Sequence, residues 1–97
     1  MLAAAARQQK RVLVDFEAVW CGPCHIMDQL VYTAQSVVDA ASGTLAVKVD
    51  GDDHRDLKLH YHVDGFPTMI LLDSHGREIR RAVGYQGVTD MVALLRP

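Results

Sequence analysis

The sequence predicts an α/β domain built on a mixed sheet of four strands. Short apolar segments of strand type alternate along the 97-residue chain with stretches whose apolar residues recur every three or four positions, the period of a helix. Strands joined through a helix run parallel, whereas the last two strand segments are separated only by a short turn, which is typical of an antiparallel hairpin. Together these patterns predict a sheet with both kinds of pairing.

The first two elements are a short helix and a strand. Residues 2–10 are rich in alanine and favour a helix, which is too short to be stable unless it docks on the rest of the chain. Residues 12–17 predict a strand whose apolar run is interrupted on one face by Asp15 and Glu17. Interior strands of parallel sheets are usually apolar on both sides, so these acids are unusual. The simpler interpretation is that they face solvent.

The next stretch predicts one long helix from Cys24 to Ala41. Its apolar residues follow the spacing of a single buried face, and we expect Met27 among them to belong to the core and not to bind a metal. Gly43, just beyond the end, is the residue type that most often stops a helix in a left-handed conformation. The buried face consists of Met27, Leu30, Val31, Ala34, Val37, Val38 and Ala41.

A second strand is predicted from Leu45 to Asp50, parallel to the first because a helix joins them. Gly51 breaks this strand. Either Asp52 or Asp53 is expected to cap a short helix that follows, since aspartate is a favoured residue before the first helical turn. We expect this helix to end near residue 61 and to be mostly exposed.

The last third of the chain predicts the hairpin and a closing helix. Strands at 69–73 and 78–83 flank a turn at Ser74-His75-Gly76. Residues 88–95 then carry a helical apolar stripe, which Pro97 ends. The chain contains no internal repeat, linker or low-complexity tract, so we expect residues 1–97 to form a single domain.

Composition and charge exclude several classes of function. The net charge is −2, from 10 basic and 12 acidic residues, which argues against a nucleic-acid surface. No apolar run approaches the roughly 18 residues that a membrane span needs, so we expect no direct membrane insertion. The first six residues do not read as a signal peptide, because polar residues follow at once. The default expectation is a cytoplasmic protein, or a periplasmic or membrane-tethered one if the chain is an excised domain.

Both cysteines lie in the segment Trp20-Cys21-Gly22-Pro23-Cys24. A disulfide across two residues closes too small a loop to stabilise much, which favours thiol-disulfide exchange over a structural bridge. Cys21 falls at the first helical turn, where the helix dipole favours a thiolate, so we predict that Cys21 attacks and Cys24 resolves. Pro23 should keep Cys21 exposed and Cys24 more buried. This chemistry requires no bound cofactor.

The five histidines raise the possibility of a metal site. Cys21 and Cys24 could combine with His60 and His62 as four zinc ligands. Residues two apart near a helix end point in different directions, so we predict no metal here. His25 is open to two interpretations. It either favours a nearby thiolate when protonated or is simply an exposed helix residue.

The chain resembles the thioredoxin family. The resemblance rests on the motif at residues 20–24, on Val14-Asp15-Phe16 before it, and on Gly65-Phe66-Pro67-Thr68, which looks like the family's cis-proline loop. Lys48 and Gly84 also stand where the family has a lysine and a glycine. The resemblance implies the thioredoxin fold, with helices on both faces of the sheet, and thiol-disulfide oxidoreductase activity.

The resemblance also implies roles for individual residues. A cis bond before Pro67 would face the cysteines and let the backbone of residue 66 pair with an extended substrate. Asp15, with Lys48 offsetting its burial, would move a proton to or from Cys24, although an ordinary structural ion pair is the alternative. The implied substrate-binding residues are Trp20, Gly22, Pro23, Phe66, Pro67 and Gly84.

The sequence departs from the family pattern at several positions. The residues before Val12 are too few to supply the first strand-helix unit of full-length thioredoxins, so the sheet should have four strands. Glu17 replaces a usual tryptophan, and Gln29 replaces a helix-kinking proline, which predicts a straighter helix. His62 replaces a glycine and must tolerate a left-handed conformation. The shortened form is most similar to domains of bacterial thiol-disulfide interchange proteins.

These observations predict a thiol-disulfide oxidoreductase that works mainly in the reducing direction. Its expected partners are protein disulfides and an upstream redox donor protein, and we expect a monomer. The alternative is a non-catalytic binding module of the same fold, in which the cysteines only switch a partner interaction.

Overall fold

Helices and strands alternate through residues 2–97, the part of the chain that the computed structural model describes. The elements are α1 (Leu2–Gln8), β1 (Arg11–Glu17), α2 (Gly22–Leu30), α3 (Gln35–Ala40), β2 (Thr44–Asp50), α4 (Arg55–His60), β3 (Thr68–Leu72), β4 (Glu78–Val83) and α5 (Val88–Leu95). The four strands form one sheet in the order β2-β1-β3-β4. β1 pairs parallel with β2 and antiparallel with β3, and β3 pairs antiparallel with β4. The predicted four-stranded mixed sheet is confirmed.

The two faces of the sheet carry separate apolar cores. Leu13, Met69 and Leu71 point to the face that α2, α3 and α5 cover. Val12, Val14, Phe16, Ile70 and Leu72 point to the other face, where α1 and α4 lie. Because both faces are covered, every residue of β3 is buried, and the strand is an apolar run apart from its first residue.

The predicted long helix is wrong in its middle part, because the chain forms two helices with a break at residues 31–34. The Thr33 hydroxyl donates to the Gln29 carbonyl oxygen at 2.7 Å, and Ala34 is extended with ψ 133°. Branched and aromatic residues at 31–33 are weak helix formers, and such side-chain bonds to the preceding turn favour a bend. The helix was predicted to be straighter because Gln29 replaces a proline. This prediction is wrong, since the chain breaks after Leu30.

The break also changes which residues of the predicted stripe are buried. Met27, Val31 and Val37 are buried as expected, whereas Leu30 is 64% exposed and Val38 is 49% exposed. The periodicity identified the core residues nearest the sheet. It overestimated the width of the buried face, because α3 does not continue the axis of α2.

The predicted cap of the short helix is also wrong. α4 begins after His54, and no side chain caps it. Asp52 instead donates its backbone N–H to the Asp50 side chain at 2.9 Å, which closes a tight turn after β2. The expected left-handed conformations at Gly43, with φ 80°, and at His62, with φ 55°, are confirmed.

We predict that Ile70→Ala lowers the free energy of unfolding by about 3 kcal/mol, because Ile70 is fully buried in the central strand β3. The matched variant Ile79→Ala changes the same residue type on the edge strand β4, where it is 39% exposed, and should cost about 1 kcal/mol or less. Chemical denaturation of both variants measures the difference. Equal losses would contradict the assignment of the core.

Candidate active site

The two cysteines lie at the N-terminus of α2 and are joined by a disulfide, with their Cα atoms 5.3 Å apart. Cys21 is the residue that caps the helix, and its Sγ accepts a hydrogen bond from the Cys24 backbone N–H at 3.2 Å. Pro23 lies in the first turn, where a missing N–H costs nothing. A negative sulfur at position 21 is therefore stabilised by a backbone donor and by the positive end of the helix dipole.

The prediction that Cys21 is exposed is wrong for this disulfide form. Cys21 is 2% exposed and Cys24 is 4% exposed, so both are buried. The reason is that the bonded cysteines form a small cluster with Ala18, and Phe66 packs against this cluster. The oxidised site therefore presents very little sulfur surface, and Phe66 forms part of its cover.

Side-chain hydrogen bonds fix the loop that precedes Cys21. Trp20 is 70% exposed, and its Nε1–H donates to Asp52 Oδ2 at 2.8 Å. The Trp20 ring meets Phe66 nearly edge-on, with ring centres 5.8 Å apart. On the other side of the motif, a ring nitrogen of exposed His25 lies 2.7 Å from the Val19 carbonyl oxygen. His25 thus ties the first turn of α2 to the loop.

The loop at Pro67 lies beside the cysteines, which Phe66 contacts. The Phe66-Pro67 bond is cis, as the resemblance implied. The Thr68 hydroxyl donates to the Gly65 carbonyl oxygen at 2.7 Å, and the Gly84 N–H donates to the Pro67 carbonyl oxygen at 2.8 Å. Gly84 has φ 86°, a left-handed conformation that glycine adopts without strain. The backbone on both sides of Pro67 is therefore held in place.

Asp15 and Lys48 are opposite residues in the pairing of β1 with β2. The Lys48 Nζ lies 3.6 Å from Asp15 Oδ2 and 3.2 Å from Glu17 Oε2, and it donates a hydrogen bond to Asp28. Oxygens of the three carboxylates lie within 4.8 Å of one another. The Lys48 ammonium therefore supplies the positive charge of an acidic cluster, which we define as Asp15, Glu17 and Asp28.

Sequence reasoning missed Asp28. It lies on α2 four residues after Cys24, and residues at that spacing share a helix face. A search for charged residues one turn from the cysteines would have found it. Its carboxylate and that of Glu17 compete with Asp15 for the same ammonium, so Lys48 offsets the Asp15 charge only in part.

Burial raises the pKa of Asp15 above its ordinary value of 3.8. The Lys48 charge and the neighbouring Tyr32 hydroxyl oppose this shift, while the charges of Glu17 and Asp28 add to it. Asp15 is 6% exposed. Burial lowers the pKa of Lys48, but the hydrogen bond to Asp28 and the nearby acids outweigh this and raise it. Asp15 is thus suited to hold a proton at a higher pH than an ordinary aspartate.

A cleft of about 560 Å³ opens beside Asp15 and Lys48, between α3 and the edge strand β2. Its walls are otherwise mostly apolar. Because Asp15 lines the cleft, the cleft connects its buried carboxyl group with solvent. The remaining lining residues are Leu13, Tyr32, Val37, Val38, Ala41, Ala46, Val47 and Leu95.

Comparison with known proteins shows which family the chain belongs to. Residues 3–96 match the family model for thioredoxin. A thioredoxin from Mycoplasma genitalium is 36% identical over 86 residues, which are 89% of this chain and 80% of that protein. The thiol:disulfide interchange protein DsbD of Pseudoalteromonas atlantica is 33% identical, in an alignment that covers 95% of this chain and 17% of that protein.

Solved structures show the same fold. A mutant thioredoxin from Halobacterium salinarum superposes with a TM-score of 0.75 at 29% identity, over 97% of this chain and 79% of that one. The chain belongs to the thioredoxin family, and its paired cysteines make it a thiol-disulfide oxidoreductase. The family that the cysteine motif indicated is confirmed.

We predict that Asp15→Asn removes a pH dependence of stability. The pKa of Asp15 is raised in the folded state, so between about pH 4 and that raised pKa the folded protein binds more protons than the unfolded chain, and its stability falls as pH rises. The asparagine variant should be more stable than the wild type at about pH 8. Its stability should not decrease as the pH rises through this range.

Unfolding by denaturant at a series of pH values tests this prediction. Asp53→Asn is the control, because it removes an exposed carboxylate. If Asp15→Asn and Asp53→Asn change the pH profile of stability equally, burial does not control the titration of Asp15.

Proposed function

We propose that this oxidoreductase works in the reducing direction on disulfides of client proteins. The observation that carries the proposal is the buried Cys21-Cys24 disulfide, which packs against apolar groups beside Phe66. A disulfide is uncharged and suits this environment, whereas an ionised dithiol must place a negative charge there. The acidic cluster carries three carboxylates against one ammonium and opposes a further negative charge. Both effects favour the oxidised form of this protein and make its dithiol a good electron donor.

The reaction proceeds by two exchanges. In the reduced protein the Cys21 thiolate attacks one sulfur of a client disulfide, and the other client sulfur leaves as a thiolate that takes up a proton. The Cys24 thiol then loses its proton and attacks Cys21 in the mixed disulfide, which releases the second client sulfur as a thiolate that also takes up a proton. The protein ends as the Cys21-Cys24 disulfide, and the client has gained two electrons and two protons.

Asp15 accepts the proton from Cys24 in this proposal. Its raised pKa places the carboxyl group closer to neutral pH, where it can both take and release a proton. Lys48 limits the cost of the charged form, and the solvent route through the cleft lets the proton exchange with water. Asp15 and Lys48 thus act on the resolving step.

The client binds across the exposed side of the motif and the Pro67 loop. Trp20 offers an exposed aromatic face, and at Gly22 no atom lies within 4 Å of the position of a Cβ, so a peptide can approach closely. The backbone of Phe66 pairs with the extended client through main-chain hydrogen bonds, which tolerate varied sequences. The proposed client-binding residues are Trp20, Gly22, Pro23, Phe66, Pro67 and Gly84.

An upstream redox donor protein returns the disulfide to the dithiol, since the reaction consumes two electrons per client. A protein that reduces its clients belongs in a reducing compartment, so we include a cytoplasmic location in the proposal. Within residues 2–97, no helix combines the length and the apolar composition that crossing a bilayer requires. We further propose that residues 1–97 act as one domain and as a monomer.

We predict that the protein accelerates the reduction of insulin by dithiothreitol and that Cys21→Ser abolishes the acceleration, because serine cannot form the mixed disulfide. The precipitation of insulin chains measures the rate. Ser42→Ala, far from the motif in sequence, is the control and should retain the wild-type rate. A wild-type rate no higher than that of dithiothreitol alone would contradict the proposal. Redox-dependent binding of a partner without turnover would instead identify a binding module.

A further inference from the structure

Gly51 lies against the far end of the Phe66 ring, where a larger residue would displace the ring. Gly51 directly follows β2, and its N–H donates to the Glu17 carbonyl oxygen at 2.9 Å, which fixes its backbone at the end of β1. A Cβ on Gly51 would overlap the Cζ and Cε1 atoms of the Phe66 ring. At Gly22, Gly65 and Gly87, by contrast, a Cβ would meet nothing within 4 Å. The ring of Phe66 therefore occupies the space that any other residue at position 51 would fill.

Other groups also contact the Phe66 side chain, which is partly buried. Trp20 meets it at 5.8 Å between ring centres, and the Lys58 Nζ lies 5.3 Å from its centre. The ring also packs against the two bonded cysteines. A ring displaced by a side chain at position 51 must press on Trp20 or leave the cover of the disulfide. Either movement changes the contacts of the Phe66 ring with Trp20 and with the cysteines.

We propose that Gly51 is a positioning residue for the exchange reaction. By leaving room for the Phe66 ring, it keeps this ring in place beside the cysteines, where an extended client pairs with the backbone of residue 66. This inference rests on the proposed function, because it concerns how that site holds its clients. It predicts that a change at Gly51 affects protein clients more than small disulfides, which need no main-chain pairing.

The first experiment compares Gly51→Ala with the wild type on insulin and on hydroxyethyl disulfide. Overpacking of one methyl group costs enough to predict a KM for insulin that is raised about tenfold, with kcat and the rate on hydroxyethyl disulfide changed less than about twofold. Gly87→Ala is the matched control, since its Cβ meets open space at the start of α5. Equal effects of the two variants, or equal losses on both substrates, would overturn the inference.

A double-mutant cycle separates positioning from a general loss of folding. In the Phe66→Ala background the ring is gone and the added methyl group has space, so Gly51→Ala should change the KM for insulin by less than about twofold. A tenfold increase in the KM for insulin that persists in the Phe66→Ala background would show that Gly51 does not act through the Phe66 ring.

Fluorescence gives a readout that does not depend on activity. Trp20 is the only tryptophan of the chain and contacts Phe66, so Gly51→Ala should shift its emission in the wild-type background and leave it unchanged in the Phe66→Ala background. If the wild-type protein fails to reduce insulin, the proposed function is wrong. The comparison of Trp20 emission in the two backgrounds still decides whether Gly51 positions the ring. An unshifted emission in Gly51→Ala would overturn the inference.

Discussion

The active site depends on the backbone pairing of the central strand β1 with both of its neighbours. Pairing with β2 sets Asp15 opposite Lys48, and pairing with β3 sets Phe16 opposite Thr68, the first residue after Pro67. The chain leaves β1 at Glu17 and reaches Cys21 within four residues. The proton-holding group, the cysteines and the cis-proline loop therefore converge at one end of the sheet, because one strand positions all three.

Two opposing electrical effects meet at this end of the sheet. The N-terminus of α2 and its backbone N–H favour a thiolate at Cys21. The apolar packing around the disulfide and the excess of carboxylates near Lys48 disfavour any added negative charge. The first effect makes the nucleophile reactive, and the second keeps the oxidised form stable. The proposed reducing direction uses both effects, since the thiolate attacks the client disulfide and the Cys21-Cys24 disulfide is the stable product.

The sequence carried the features that depend on local chemistry. The strand patterns, the cysteine spacing and the pairing of Asp15 with Lys48 could all be predicted, the last from the family resemblance. The break at residues 31–34, the burial of Cys21 and the role of Asp28 could not, because each depends on which distant side chains pack together. The fit of Gly51 to Phe66 is of the same kind. Residues fifteen positions apart meet only after the sheet has formed.

The midpoint redox potential of the Cys21-Cys24 pair tests the central claim most directly. Equilibration with dithiothreitol or glutathione buffers, followed by separation of the two redox forms, measures it. The packed disulfide and the acidic cluster predict a value below about −230 mV, where the protein donates electrons to protein disulfides of higher potential. A value near −120 mV, typical of a strong disulfide oxidant, would show that stabilisation of the thiolate outweighs them.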